Sequence, residues 1–189
     1  KAQMQLLPAN GDLTAAEVNL LEKEDAPGRL RAALAPIEWN FDIIMIDCPP
    51  ALNMLTVNAL TAARSVIIPV QCEYYALEGL SALLDTIEKV RKSTNPSLRI
   101  EGLVRTMFDP RNRLANDVSA QIVAHFGDVV FETLIPRNVR LAEAPSYGLP
   151  IIHYDDSSRG AQSYRDLARE VRKRLRRPAT QPTKDGAAT

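Results

Sequence analysis

The sequence predicts an α/β fold in which a mostly parallel sheet is flanked by helices on both faces. Two observations lead to this class. Short apolar runs of strand length alternate along the chain with longer stretches whose apolar residues recur at helical spacing. The apolar runs also lack the polar alternation of a half-exposed strand, as expected for strands buried on both faces. Parallel strands joined through helices account for both features.

The predicted elements follow in order along the chain. Strands are predicted where apolar runs end in polar or proline-containing loops, at 42–47, 65–71, 99–108 and 129–136. Helices are predicted where apolar residues recur every three or four positions, at 52–63, 76–93, 114–126 and 158–177. Upstream, "MQLLPAN" has the pattern of a strand end, and residues 29–37 ("RLRAALAPI") that of a short helix. Thr14 lies three residues before Glu17, which is capping-box spacing and predicts a helix start.

The length of 189 residues predicts one domain with a substantial core. We assign residues 1–177 to this domain and residues 178–189 to a disordered tail, because the tail is small, polar and interrupted by proline. No apolar run approaches the roughly 20 residues that span a bilayer, and the start lacks a signal peptide. We therefore expect a cytoplasmic protein without membrane contact. Cys48 and Cys72 lack CxxC spacing, so we expect no zinc site, and in a reducing compartment we expect no disulfide between them.

The formal net charge of zero conceals an asymmetry between the two halves of the chain. Residues 1–98 contain 8 Lys and Arg against 12 Asp and Glu, whereas residues 99–189 contain 15 against 11. Thirteen of those 15 basic residues are arginine, which prefers planar, bidentate partners such as phosphate. The second half therefore predicts a polyanionic partner, with a solvated basic face as the alternative.

Polar loops follow each predicted strand, at 47–50, 71–75, 107–111 and 136–138. In parallel sheets, ligands bind outside the carboxyl ends of the strands, so we expect these loops to form one site. Asp47 ends an apolar run and is followed by Pro49 and Pro50, which restrict the backbone. Such a carboxylate can hold Mg²⁺ beside nucleotide phosphates, or it can simply stabilise a turn before the next helix.

Four segments resemble the ParA/Soj family of chromosome- and plasmid-partitioning ATPases, which are P-loop NTPases with a deviant Walker motif. They are "FDIIMIDCPPALNMLTVNAL", "VIIPVQCEYYALEGL", "LVRTMFDPRNRLANDV" and "IPRNVRLAEAPSYGLPIIHYDDSSRGAQSYRDLAREV". The resemblance implies a MinD/ParA-like fold and covers about residues 4–173. The family's Gly-rich phosphate loop and its hydrolytic aspartate have no counterpart here. The chain therefore resembles the C-terminal portion of a ParA-type domain, and its sheet is expected to be N-terminally incomplete.

The resemblance also implies roles for individual residues. Asp47 matches the Walker B aspartate that acts through Mg²⁺ by way of a bound water, and residues 48–56, which include Pro49, match a loop that senses the γ-phosphate. Pro136, Arg137 and Asn138 match the family's loop that contacts the adenine, and Met107 and Phe108 lie on the neighbouring strand end, so we expect all five to bind the nucleotide. The catalytic aspartate and the Walker A lysine are expected upstream of Lys1. We therefore expect that this chain alone does not hydrolyse ATP.

The family forms an ATP-dependent homodimer that binds double-stranded DNA without sequence preference, and a ParB-type centromere-binding partner stimulates hydrolysis. Arg111 and Arg140 match the family's DNA-binding arginines. Arg113 lies in the loop of Arg111, and Arg172 and Lys173 belong to a basic run near the end of the last helix. We expect these five residues to contact phosphate, and the protein to associate with the nucleoid. For the basic run, interaction with the helix dipole is an open alternative.

Two other functions are compatible with the sequence. A MinD-like membrane-associated ATPase shares the fold and the aspartate at the strand end and ends in an amphipathic membrane helix, whereas the basic helix and polar tail at the end of this chain are expected to have no apolar face to insert. A non-catalytic module that binds DNA or regulates another protein is the second alternative. An exposed edge of an incomplete sheet, which promotes aggregation, weighs against it.

Overall fold

The computed structural model describes residues 4–49, 51 and 53–176, and these form two compact units. Unit 1 is drawn from residues 1–66 and 78–99, and unit 2 from residues 67–77 and 100–189. The strands are β1 (Ser65–Gln71), β2 (Arg99–Phe108) and β3 (Val130–Pro136). The helices are α1 (Asp12–Leu21), α2 (Arg29–Leu34), α3 (Met54–Ala62), α4 (Ala76–Ser93), α5 (Arg113–Phe126), α6 (Val139–Glu143), α7 (Ile151–Tyr154) and α8 (Arg159–Leu175).

A sheet with strand order β1-β2-β3 forms the centre of unit 2. Strands β2 and β3 run parallel, with Leu103 opposite Val130 and Phe108 opposite Pro136, and helix α5 connects them along the chain. The register shifts between these pairs, so the ladder is irregular. This arrangement confirms the predicted α/β class, because parallel neighbours require a crossover connection such as a helix.

Helices pack on both faces of the sheet. Val104 and Phe131 form an apolar cluster with Leu167 of α8, whereas the neighbouring Arg105 donates to Ser119 Oγ of α5 at 3.0 Å. Successive side chains of a strand point to opposite faces, so α8 and α5 cover different sides. Phe131 is completely buried at the centre of this packing.

Unit 1 is organised around two buried asparagines. Asn58 of α3 donates to the backbone oxygens of Ala26 (2.7 Å) and Met54 (3.0 Å) and accepts from Leu30 N (3.0 Å). Asn95, just beyond α4, donates to the backbone oxygens of α3 and its C-terminal end at 2.9 and 2.7 Å. Buried amides of this kind are stable only when their hydrogen bonds are satisfied, so these contacts fix the helices of unit 1.

The predicted strand at 42–47 does not form, and this prediction is wrong. Ile43, Ile44 and Met45 are 58, 40 and 80% exposed, and no described strand pairs with the segment. A β-strand exists only when its backbone groups join a ladder, and apolar composition alone cannot supply the partner. The predicted strand end at "MQLLPAN" is likewise irregular in residues 4–10, where Leu6 and Leu7 are exposed.

The other predicted elements are present. Strands β1 and β2 and helix α4 have the predicted bounds, and β3, α3, α5 and α8 differ by one or two residues at their ends. Thr14, however, lies inside α1 and not at its start. Instead, Asn10 Oδ1 accepts from Asp12 N at 3.0 Å, and Glu17 accepts from Asn53 Nδ2 at 3.1 Å.

The predicted domain division stays a prediction. The tail at 178–189 lies outside the described residues. Among the described residues, no helix has both the length and the apolar character needed to cross a membrane.

Candidate functional site

The carboxyl ends of β2 and β3 bring together the five residues of unit 2 that are predicted to bind the nucleotide. Phe108 lies opposite Pro136 in the ladder, and Arg137 N donates to Phe108 O at 3.0 Å. Met107 directly precedes Phe108. Asn138 directly follows Arg137 and caps α6, because its side-chain oxygen accepts from the backbone N–H of Leu141, the third residue of the helix, at 3.3 Å. The predicted site residues of unit 2 are therefore neighbours at one edge of the sheet.

Met107 has a left-handed backbone conformation with φ of 52°. It is the one non-glycine residue with positive φ among those that the structure describes. This conformation is uncommon for a side chain such as methionine and is frequently found near functional sites. It leaves the Met107 side chain 43% exposed at the end of β2.

Ion pairs surround these strand ends. Arg137 Nη2 lies 3.8 Å from Glu73 Oε1, beyond the end of β1. Arg111 Nε and Nη2 donate to the two carboxylate oxygens of Asp109 at 3.0 and 2.9 Å. The side-chain and backbone hydrogen bonds from Arg111, together with the nearby charge of Arg137, lower the pKa of Asp109 to about 2. The edge is therefore a charged, ordered rim.

Asp47 and Pro49 belong to unit 1, where both are exposed in an irregular segment that follows residues 42–46. Pro50 and Leu52, which belong to the same predicted phosphate-sensing loop, lie outside the described residues. Asn53 begins α3 by accepting from Thr56 N at 3.1 Å. No group of three or more His, Cys, Asp or Glu in the described residues could enclose a metal ion.

A magnesium ion needs few protein ligands when it also binds phosphate. Proteins hold it through one or two carboxylates together with substrate phosphates and water. The exposed carboxylate of Asp47 fits that role as a single ligand, and it does not fit a site built from protein atoms alone.

Arg140, the second predicted DNA contact, lies on α6 between two carboxylates. Its Nη1 is 2.9 Å from Glu143 Oε2, and its Nε is 3.3 Å from Asp155 Oδ2. Tyr154 donates from its hydroxyl to the same Glu143 oxygen at 3.0 Å. The hydrogen bonds from Arg140 and Tyr154 lower the pKa of Glu143. The Arg140 side chain is still 54% exposed and accessible to a ligand.

The other predicted DNA contacts are exposed. Arg111 and Arg113 have side-chain exposures of 88 and 96%, and Arg113 Nε lies 3.9 Å from Asp117 Oδ2 on the next turn of α5. Arg172 and Lys173 are exposed near the end of α8. Arg177, the last residue of the predicted basic run, lies outside the described residues.

Arg174, in the middle of that basic run, has a different role. Its guanidinium donates to the backbone oxygens of Glu101 (3.1 Å), Val129 (3.2 Å) and Val130 (2.8 Å). Its Cζ also lies 4.0 Å from the centre of the Phe131 ring. These contacts join α8 to two strands, so Arg174 stabilises the fold. Nothing in the basic run itself distinguishes Arg174 from its basic neighbours.

Glu170, one turn before Arg174, also joins α8 to β3. It accepts from Glu132 N (2.9 Å), from Thr133 N (3.0 Å) and Oγ1 (2.8 Å), and from Arg174 Nη2 (3.1 Å). Burial by itself raises the pKa of Glu170, but the hydrogen bonds from Thr133 and Glu132 and the charge of Arg174 outweigh it, so the pKa is lowered. The spacing of four residues between Glu170 and Arg174, which brings side chains together on one face of a helix, was the sequence signal from which this ion pair could have been predicted.

Comparison with known proteins agrees with this fold. A family model described as an AAA domain matches residues 1–100. The chain is 53% identical over 171 residues to the chromosome partitioning protein ParA of Myxococcus xanthus, covering 90% of this chain and 60% of that protein. It is also 53% identical over 168 residues to the sporulation initiation inhibitor protein Soj of Bacillus subtilis, covering 89% of this chain and 66% of Soj.

A solved structure is also similar. Cobyrinic acid a,c-diamide synthase from Mycobacterium smegmatis, with bound ADP and magnesium, superimposes with a TM-score of 0.73 at 37% sequence identity. The match covers 89% of this chain and 62% of that structure. The chain thus spans less than two thirds of the length of each of these three proteins.

The parallel sheet with helices on both faces and the match to the AAA domain define an α/β protein of the P-loop NTPase class. Within that class, the identity to ParA and Soj over about nine tenths of the chain is decisive. The chain belongs to the ParA/Soj family of chromosome-partitioning ATPases.

Proposed function

We propose that the whole protein is a partitioning ATPase that forms a homodimer with ATP and Mg²⁺ and binds double-stranded DNA without sequence preference. In this proposal, a ParB-type centromere-binding partner stimulates hydrolysis, and hydrolysis returns the protein to a state with low DNA affinity. The observation that carries the proposal is the 53% identity to ParA and to Soj, which extends over 89–90% of the chain.

The strand ends of unit 2 support the nucleotide part of the proposal. Met107, Phe108 and Pro136 together offer an apolar surface of the kind that a purine base requires. Asn138 uses its side-chain oxygen as a helix cap, which leaves its Nδ2 group available for a ring nitrogen of the base. Asp47 would supply one oxygen ligand to a magnesium ion that also binds the phosphates.

The exposed arginines of unit 2 support the DNA part. Arg111, Arg113 and Arg140 all present guanidinium groups to solvent within 30 residues of one another along the chain. Guanidinium contacts to phosphate oxygens carry no base information, so binding of this kind is independent of DNA sequence. In a nucleotide-bound dimer, two such surfaces would act together and raise the apparent affinity.

The packing of α8 favours DNA over a membrane as the partner of the basic C-terminal helix. Its apolar residues Leu167 and Val171 pack against the sheet cluster around Phe131, while Arg172 and Lys173 remain exposed. An interfacial membrane helix needs a free apolar face. In the described part of α8, that face is already part of the core.

An Arg140→Ala variant of the whole protein tests the proposal. We expect weaker binding to all duplex sequences and a salt slope of log K reduced by about 1, because one phosphate contact is lost. ATP-dependent dimerisation, measured by sedimentation, should be unchanged. Arg64→Ala is the matched control, since Arg64 is exposed but precedes β1 at the amino end of that strand.

Two results would contradict the proposal. If the Arg140→Ala variant loses dimerisation or binds DNA with wild-type affinity, Arg140 is not the DNA contact. If the wild-type protein binds DNA equally well without ATP and magnesium, the nucleotide does not control the DNA-bound state.

A further inference from the structure

Two exposed arginines of unit 2, Arg111 and Arg140, already have carboxylate partners within their own unit. Arg111 pairs with Asp109 through both carboxylate oxygens, and Arg140 pairs with Glu143 and Asp155. A guanidinium has five N–H donors in a fixed fork, and a carboxylate presents two oxygens with the spacing that a phosphate also offers. The carboxylates therefore occupy donors that a DNA phosphate would require.

The partners of Arg140 are themselves fixed in place. Tyr154 donates its hydroxyl to Glu143 Oε2 at 3.0 Å, and the Tyr154 ring lies 4.8 Å from the ring of Tyr147. Ser157 Oγ donates to Asp155 Oδ1 at 2.9 Å. These bonds reduce the rotational freedom that an exposed carboxylate otherwise has, so the acceptors stay oriented toward the guanidinium.

We propose that Glu143 and Asp155 compete with DNA phosphate for the guanidinium of Arg140. This inference rests on the proposed function, in which Arg140 contacts DNA. Binding then requires phosphate oxygens to displace the carboxylates, and release is assisted when they return. Because exposed ion pairs are weak, the competition lowers DNA affinity by a small factor and keeps binding reversible.

Glu143→Gln is the informative variant, because glutamine keeps the size of glutamate and still accepts from Tyr154 while removing the charge. In the whole protein with ATP and magnesium, we expect the affinity for a duplex probe to rise about threefold, as measured by fluorescence anisotropy at one fixed salt concentration. Glu88→Gln is the matched control. Glu88 also pairs with an arginine three residues away, Arg91, and its loss changes the net charge equally.

Combining Glu143→Gln with Arg140→Ala separates the inference from the proposed function. The gain from Glu143→Gln should disappear when residue 140 is alanine, because the competition acts only through Arg140. If Arg140→Ala weakens DNA binding but Glu143→Gln leaves it unchanged, or if the gain persists without the arginine, the inference is wrong and the DNA role of Arg140 stands. If Arg140→Ala alone has no effect on DNA binding, the proposed function fails at this residue.

Discussion

Replacing Arg174 by methionine should destabilise the protein far more than replacing its neighbour Lys173. Arg174 donates to three backbone oxygens at 2.8–3.2 Å and pairs with Glu170, and its side chain is only 18% exposed. Methionine retains the packing of the apolar stem against Phe131 but cannot donate to any of these acceptors. The variant therefore isolates the polar contacts between α8 and the strands.

The expected loss follows from the hydrogen bonds that the charged guanidinium of Arg174 no longer makes. Each hydrogen bond of a charged group contributes about 1.5–3 kcal/mol, and partial access of water reduces the sum, so we expect about 2–4 kcal/mol. Against a total stability of roughly 5–15 kcal/mol, this is a large share. For a chain of this size, it corresponds to a decrease in melting temperature of roughly 5–15 °C. Lys173→Met, at an exposed position, should cost less than about 0.5 kcal/mol.

Thermal melting followed by circular dichroism gives the global comparison, and amide hydrogen exchange gives a local one. The N–H groups of Glu132 and Thr133 donate to Glu170, the partner of Arg174, so their exchange should accelerate in the Arg174→Met variant. Equal melting temperatures for the Arg174 and Lys173 variants, with unchanged exchange at these two amides, would refute this account of Arg174.

Two further predictions concern unit 2. Gly102→Ala should be strongly destabilising in a denaturant titration. A Cβ at Gly102 would lie 2.3 Å from Cε2 of the buried Phe131, and the ring could move away only by disturbing the core. Wild-type stability of this variant would refute the close packing at Gly102. Arg111→Ala should raise the pKa of Asp109 from about 2 toward the usual value near 4, as followed by carboxyl-carbon NMR titration. Since the folded-state pKa of Asp109 is depressed, its stabilising contribution is present above about pH 4 and is lost as the pH falls toward 2. An unchanged pKa in the variant would show that Arg111 is not the cause.

Local sequence signals predicted most of the secondary structure because those signals act over a few residues. The bounds of β1 and β2 follow from apolar runs with polar ends, and Asn112 and Asn138 cap their helices as their residue type favours. The segment 42–47 shows the limit of such signals. Its composition suits a buried strand, but strand formation depends on a partner that a local pattern does not specify.

The arrangement of the candidate site, like the secondary structure, was predictable only in part. The neighbouring positions of Phe108 and Pro136 follow from the rule that parallel strands end at one edge of the sheet. The roles of individual arginines could not be predicted from the sequence, because the sequence of a basic run does not show which of its side chains point to solvent and which point into the fold. Arg174 and Lys173 are adjacent in the sequence, but one binds backbone oxygens and the other is exposed.

Charge counts from the sequence therefore do not show how many arginines are free to contact a polyanion. Residues 99–189 have a formal excess of four basic residues, yet among the described arginines Arg105 and Arg174 are bound to backbone oxygens inside unit 2. Two exposed arginines, Arg111 in a loop and Arg140 on α6, are paired with carboxylates. Part of the formal basic excess among the described residues is therefore engaged within the chain, and in the proposed dimer two basic surfaces would act together on DNA. Nucleotide-dependent dimerisation could accordingly control DNA binding without changing any single arginine contact.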